Sequence, residues 1–158
     1  MSLSIQEMKQ SMAKTILSWK YEQPYDFYNN EETEEALQEL LDGSYFAIMN
    51  ETGNLFGFYC VGKSAQVPPG RPFGVYQNRA VDIGFGMNPT HTGKGKGVEF
   101  CTFILQQIED QHQGIPLRLT VATFNQRAIH LYEKLGFRKE NKFETDVAKF
   151  ITMVKKGR

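Results

Sequence analysis

The stretch from Arg79 to Ala122 constrains the fold more than any other part of this chain. Arg79–Met87 carries apolar residues at Val81, Ile83, Phe85 and Met87, the two-residue period of a strand, and Pro89 ends it. Beyond the proline the period changes. Val98, Cys101, Leu105 and Ile108 recur at helical spacing from about Gly95 to Gln113, and Gly114 and Pro116 close the helix. Leu117–Ala122 is β-rich again. Strand, helix and strand in that order make a βαβ crossover, so the two strands run parallel.

The first turn of that crossover reads Pro89-Thr-His-Thr-Gly93-Lys94-Gly95-Lys96-Gly97-Val98. Three glycines at alternate positions let the backbone turn tightly and approach a ligand. The unpaired N–H groups of the helix's first turn face the same way, with the positive end of the helix dipole behind them. Together they form an anion site suited to a phosphate, and Lys94 and Lys96 add charge. A plain turn capping a helix accounts for the same residues equally well. A P-loop is excluded, because no Gly-Lys is followed by Ser or Thr. The dinucleotide pattern G-x-G-x-x-G also fails at its third glycine.

The rest of the chain supplies partners for the crossover. Ser4–Lys20, with Ile5, Met8, Met12, Ile16 and Trp19 at steps of three and four, reads as a helix, and Glu31–Leu41 as a second. Between them lies the aromatic run Tyr21–Tyr28, broken by Pro24. Tyr45–Met49 and Leu55–Val61 flank a glycine-containing turn and form a hairpin. Gly62–Asn78, with three prolines and three glycines, is a long loop, a length often tied to function. Asn125–Leu135 is a helix stopped by Gly136, and Phe137–Phe143 and Val147–Val154 make a closing strand pair. The expected architecture is α/β (α+β): one domain over 1–158, a mixed, mostly antiparallel sheet with a central parallel pair, and helices on both faces.

Composition narrows the function classes. The 158 residues are 41% hydrophobic, enough for one core, and 18 basic residues balance 18 acidic ones. That balance gives no general pull toward nucleic acid or an anionic membrane. Cys60 and Cys101 sit in apolar runs without zinc spacing, so both are expected as reduced, buried thiols and no metal site is expected. Neither a membrane helix nor a signal peptide is evident, and a cytoplasmic protein is expected.

The downstream segment singles out one family. Asn125-Gln-Arg-Ala128-Ile-His-Leu-Tyr132-Glu-Lys-Leu-Gly136-Phe137 matches N-x-x-A-x-x-x-Y-x-x-x-G-F and resembles the GNAT superfamily of acetyl-CoA-dependent N-acetyltransferases. The family's other signature, [QR]-x-x-G-x-[GA], is matched by Gly95 and Gly97, with Thr92 where Gln or Arg is usual. The two motifs occur in the family's order over Val81–Phe137.

The resemblance implies acetyl-CoA as cosubstrate, with the strand before the glycine loop splayed from its parallel neighbour to open a cleft. Phe85, Gly86 and Met87 would offer backbone groups to the acetyl and pantetheine portion. Thr92, Gly93, Lys94, Gly95, Lys96, Gly97 and Val98 would hold the pyrophosphate, chiefly through backbone N–H groups, and Asn125 would hydrogen-bond the arm. Tyr132 would protonate the leaving thiolate as general acid. Thr120 stands where some relatives carry Glu. That leaves Asp82 as the candidate base, or alternatively as a surface residue paired with Arg79 or Arg118. His91, His112 and His130 read as surface residues, His91 being nearest the pyrophosphate. The tyrosines of 19–28 either pack the core or line the acceptor pocket. The expected partner is a small-molecule or peptide amine, with a homodimer through the last strand a familiar assembly for similar folds. The alternative is a catalytically silent CoA-binding or sensor module.

Overall fold

The computed structural model describes residues 1–157. Along the chain run β1 (Ser4–Glu7), α1 (Gln10–Ser18), α2 (Glu34–Leu40), β2 (Tyr45–Met49), β3 (Leu55–Val61), β4 (Val81–Met87), α3 (Gly97–Gln111), β5 (Leu117–Ala122), α4 (Gln126–Lys134), β6 (Arg138–Glu144) and β7 (Lys149–Lys155). The strands form a mixed, mostly antiparallel sheet with one parallel pair, β4 with β5. Two compact units divide the chain, Met1–Cys60 with Phe85–Gly97, and Val61–Gly84 with Val98 onward. Strand β4 starts in the second unit and ends in the first.

In the first unit β1 pairs antiparallel with β2, and β2 with β3. The turn joining β2 to β3 is built by Asn50. Its Oδ1 accepts from the backbone N–H groups of Thr52 and Asn54 at 3.1 and 3.0 Å, while Gly53 supplies a φ of 79°. Ala13, Ile16 and Leu17 of α1 and Leu37 and Leu40 of α2 bury against Trp19 and Ala47. Thr33 sets the start of α2, accepting from the Ala36 N–H at 3.1 Å, with Glu34 and Glu35 in the first turn.

The N-terminus differs from expectation. Ser4–Glu7 is a strand and the helix begins at Gln10. The outer edge of β2 would otherwise present unpaired N–H and C=O groups, and four residues of extended chain satisfy it from Ser4↔Met49 to Glu7↔Phe46. The three-residue step from Ile5 to Met8 imitates a helical period and conceals this.

In the second unit β4 opens parallel to β5 through Val81↔Leu117 and Asp82↔Arg118, and the Val81 N–H donates to the Pro116 carbonyl at 2.8 Å. The other edge of β5 pairs with β7 along its full length, and β7 pairs with β6. Helix α3 buries Phe100, Cys101, Ile104, Leu105 and Ile108. It starts at Gly97, two residues later than its periodicity suggests, because Gly95 takes a left-handed φ of 76°. Cys60 and Cys101 are buried and not in a disulfide, and burial pushes the Cys101 thiol up to about 12. The long loop 62–78 contains two 3₁₀ turns, Gly62–Ala65 and Pro68–Phe73. Among the described residues no helix is long and apolar enough to cross a membrane, and no group of three His, Cys, Asp or Glu side chains is placed to hold a metal.

Candidate functional site

The first unit carries the end of β4 and the glycine loop as one fastened piece. Gly86 passes so close to Phe58 that a Cβ there would overlap the ring, which is why the strand carries glycine at this point. Phe58 is held in turn by Trp19 and Tyr45, with ring centroids at 6.2 and 6.0 Å. The next residue, Met87, offers its carbonyl to the Tyr21 hydroxyl at 2.8 Å. Asn88 then fixes the exit from the strand. Its N–H donates to the Phe56 carbonyl at 2.9 Å, its Nδ2 donates to the Leu55 carbonyl at 3.1 Å, and its Oδ1 accepts from the Thr90 N–H at 3.0 Å.

Past Asn88 the loop rests on Phe56. His91 stacks on that ring with centroids 4.4 Å apart and planes at 18°, and the Lys96 ammonium lies 5.9 Å from the ring centroid. Gly93 and Gly95 both have positive φ, 71° and 76°, which only glycine adopts without strain. Burial first, and then the charges of Lys96 and Lys94, hold the His91 imidazole below its usual value. Thr92 turns its hydroxyl inward to the Pro89 carbonyl at 2.9 Å, so this side chain serves the loop's own turn.

The second unit holds Asp82, Asn125 and Tyr132. Asp82 is not a surface residue: it is buried, and Arg118, 2% exposed, meets it with Nε to Oδ1 at 2.7 Å and Nη2 to Oδ2 at 2.9 Å. Gln66 donates to Oδ2 as well, at 2.9 Å. Arg118 also donates to the carbonyls of Asn78 and Tyr76 and lies over the Tyr76 ring at 5.2 Å. The pair therefore fastens the loop 62–78 to the start of the parallel ladder. The Tyr76 hydroxyl accepts from the Val67 N–H at 2.9 Å and lies 2.7 Å from Thr120 Oγ1.

The Asn125–Phe137 motif has a plain structural logic. Asn125 caps α4, its Oδ1 accepting from the Ala128 N–H at 3.1 Å, which explains the three-residue spacing. Gly136 leaves the helix at φ 101°, and the Phe137 N–H returns to the Tyr132 carbonyl at 3.0 Å. Phe137 is fully buried and meets the half-buried Tyr132 ring edge-on at 6.1 Å. The helix thus holds Tyr132 at a fixed position in its last turn.

Of the residues anticipated from the sequence, the first unit brings together Phe85, Gly86, Met87 and Thr92 to Gly97, and the second contains Asp82, Val98, Asn125 and Tyr132. Tyr21 was anticipated only as one of the tyrosines of 19–28, and Asn88, Gln66 and Phe58 were not anticipated. Asn88 carried a readable signal, an Asn directly before Pro at a strand end. The others act through partners more than 15 residues away and left none.

The fold and the loop define a mixed α/β domain, and comparison with known proteins makes the class specific. The acetyltransferase (GNAT) family model matches residues 12–137, and the chain belongs to that family. No curated protein matches the chain. Among solved structures, an acetyltransferase (GNAT family) from Bacillus anthracis is similar at 14% identity, with 98% of this chain and 94% of that one covered and a TM-score of 0.72. The aminoglycoside acetyltransferase AAC(6')-Ib, in complex with coenzyme A, is similar at 17% identity over 98% and 95% of the two chains, with a TM-score of 0.70. A chimera of the Vibrio cholerae spermidine N-acetyltransferase SpeG and hSSAT is similar at 21% identity over 98% and 95%, with a TM-score of 0.66.

Proposed function

We propose that this chain transfers the acetyl group of acetyl-CoA directly to an amine of a small molecule or peptide. The observation that carries the proposal is the continuity of strand and loop. Met87 ends β4, Asn88 anchors the exit to β3, and the cationic turn His91–Gly97 follows within ten residues, seated on Phe56. The pantetheine arm lies along Phe85–Met87. The pyrophosphate sits on the backbone of Thr92–Val98, with Lys94 and Lys96 supplying charge. Asn125 completes the hold on the arm.

In the reaction the amine lone pair attacks the thioester carbonyl, and the carbon–sulfur bond breaks as the acetamide forms. A backbone N–H of Phe85–Met87 stabilises the developing oxyanion. The departing thiolate takes the Tyr132 proton, which suits a thiol of pKa about 8.5, and the proton that the amine nitrogen sheds as the acetamide forms passes to solvent water, from which Tyr132 is reprotonated. Asp82 is assigned to holding Arg118 and the loop 62–78 rather than to proton abstraction, because both its oxygens are already engaged. That engagement is also the observation favouring the second reading, a CoA-binding module without turnover.

Calorimetry with acetyl-CoA and a thiol-release assay over an amine panel decide between them. Micromolar binding that is abolished by Gly95→Glu, together with thiol release that falls at least a hundredfold in Tyr132→Phe, is expected. Binding without release for any amine establishes the silent module, and no binding at all removes both readings.

A further inference from the structure

The chain's charge balances overall but not along its length. Residues 134–158 include eight basic side chains and three acidic ones. Part of that excess gathers where β6 begins and β7 ends. An open cleft of about 550 Å³ is lined there by Gly136, Arg138, Lys139 and Glu140 from one strand and by Val154, Lys155 and Lys156 from the other. Register places it at one end of β5: Lys155 pairs with Leu117, the first residue of that strand, and Val154 stands between Arg118 and Arg138. Asn125 follows the opposite end of β5, five steps of about 3.3 Å further on and more. The cleft is therefore separate from the residue assigned to the CoA arm.

Its cations are held in place. Arg138 Nη1 donates to the Phe137 carbonyl at 3.2 Å, which orients the guanidinium and spends one of its five N–H donors. Lys155 lies 3.6 Å from a carboxylate oxygen of the buried Glu109, and its stem crosses so near Gly136 that a Cβ there would stand 3.4 Å from Lys155 Cε. Lys156 is bracketed by Lys155 and by Gly157, where a Cβ would overlap the Ile115 carbonyl. Among the described residues Lys139 and Lys156 have no ion-pair partner. The β6–β7 register shifts between Lys139 and Asn141, which leaves Glu140 out of the ladder while the Asn141 N–H turns to Thr152 Oγ1 at 3.1 Å. Four cations thus meet two carboxylates, Glu140 on the rim and Glu109 behind Lys155, and two positive charges remain uncompensated.

We propose that this cleft is a second anion site, taking a compact dianion whose charge is carried by a phosphate group or by two carboxylates. Two negative charges match the two that are uncompensated. The Arg138 guanidinium presents parallel N–H groups that suit either oxyanion, and Lys139 and Lys156 add point charges. The half-buried Val154 gives the cleft an apolar floor, which a short carbon skeleton can cover. Glu140 on the rim repels an extended run of negative charge, so a small ligand fits and a nucleic-acid strand does not.

Calorimetry at low salt, with inorganic phosphate and malonate as probes at pH 8, tests the site. The parent protein carries Gly95→Glu, which puts a carboxylate in the glycine loop and keeps the probes from it, so the outcome does not depend on what that loop binds. One site of millimolar affinity or tighter is expected for at least one probe. Arg138→Gln with Lys156→Gln should weaken it at least tenfold, with Tm within about 2 °C of the parent because both side chains are exposed. Tighter binding of phosphate identifies a phosphate-bearing ligand, and tighter binding of malonate a dicarboxylate. No binding of either probe at millimolar concentration overturns the proposal, as does equal affinity in the double variant and its parent. Salt-sensitive self-association that the double variant abolishes, with no probe bound, makes the cleft a protein contact and overturns it too.

Discussion

Arg118 and Asp82 face each other across the last rung of the parallel ladder, joined at 2.7 and 2.9 Å with both side chains almost wholly buried. Removing one partner strands the other's charge in the interior, at a cost of about 3–5 kcal/mol. Arg118→Met and Asp82→Asn should each lower Tm by about 10 °C, at roughly 2–4 °C per kcal/mol for a chain of this size. The double variant Asp82→Leu with Arg118→Met should recover a large part of that loss, because no charge is left unpaired. Thermal melts of the three variants check this. If Asp82→Asn melts like wild type, the pair does not clamp the loop 62–78.

Gly86 and Phe58 make a second stability test. Gly86→Ala places a methyl group against the Phe58 ring and should cost about 1–3 kcal/mol through overpacking. Phe58→Leu in the same chain should return part of that loss, since the smaller side chain clears the space. Denaturant midpoints for the two single variants and the pair would show the non-additivity expected of residues in contact.

His91 gives a pH prediction. Its folded-state value lies below the ordinary imidazole value of about 6.5 because of burial and the nearby Lys96 and Lys94. Above that value the ring is neutral in both states and costs nothing. As pH falls below it, the unfolded chain takes the proton first and stability declines. A diphosphate on the loop reverses the sign, raising the His91 value, so CoA binding should take up a fraction of a proton near pH 6. Calorimetry in two buffers of different ionisation enthalpy measures that uptake. His91→Gln should diminish it, and an undiminished uptake would place the diphosphate elsewhere.

Asn125 separates capping from cofactor contact. Its Oδ1 caps α4, so Asn125→Asp keeps an acceptor at the helix start while removing the Nδ2 donor. Asn125→Ala removes both. The alanine variant should lose about 1 kcal/mol of stability and also CoA affinity. The aspartate variant should keep its Tm within a few degrees and lose affinity alone. Equal CoA affinity in Asn125→Asp and wild type would leave Asn125 with the cap as its whole role.

Most of the fold was legible because its periods are unmixed. The hairpin strands Tyr45–Met49 and Leu55–Val61 and the strand Leu117–Ala122 were read to the residue, and α4 to within one residue of its caps. The N-terminal strand was missed because four residues with a single apolar side chain, Ile5, carry no period of their own. Pairing with β2 alone makes them a strand. The glycine loop and the Asn125–Phe137 helix were legible because turn chemistry and capping are local. Asp82 was not: its carboxylate reads the same whether it takes a proton or holds a guanidinium.

Local chemistry in the sequence set where the backbone must turn and which helix begins at the glycine loop, since Gly93, Gly95, Asn125 and Gly136 act within a few residues of themselves. Tertiary structure alone decided that Tyr21 reaches Met87, that Phe58 leaves room only for glycine at 86, and that Arg118 occupies Asp82. Those relations join residues 28 to 66 positions apart. They depend on which side of a strand a carbonyl faces and which ring stands behind it, and no local period records either.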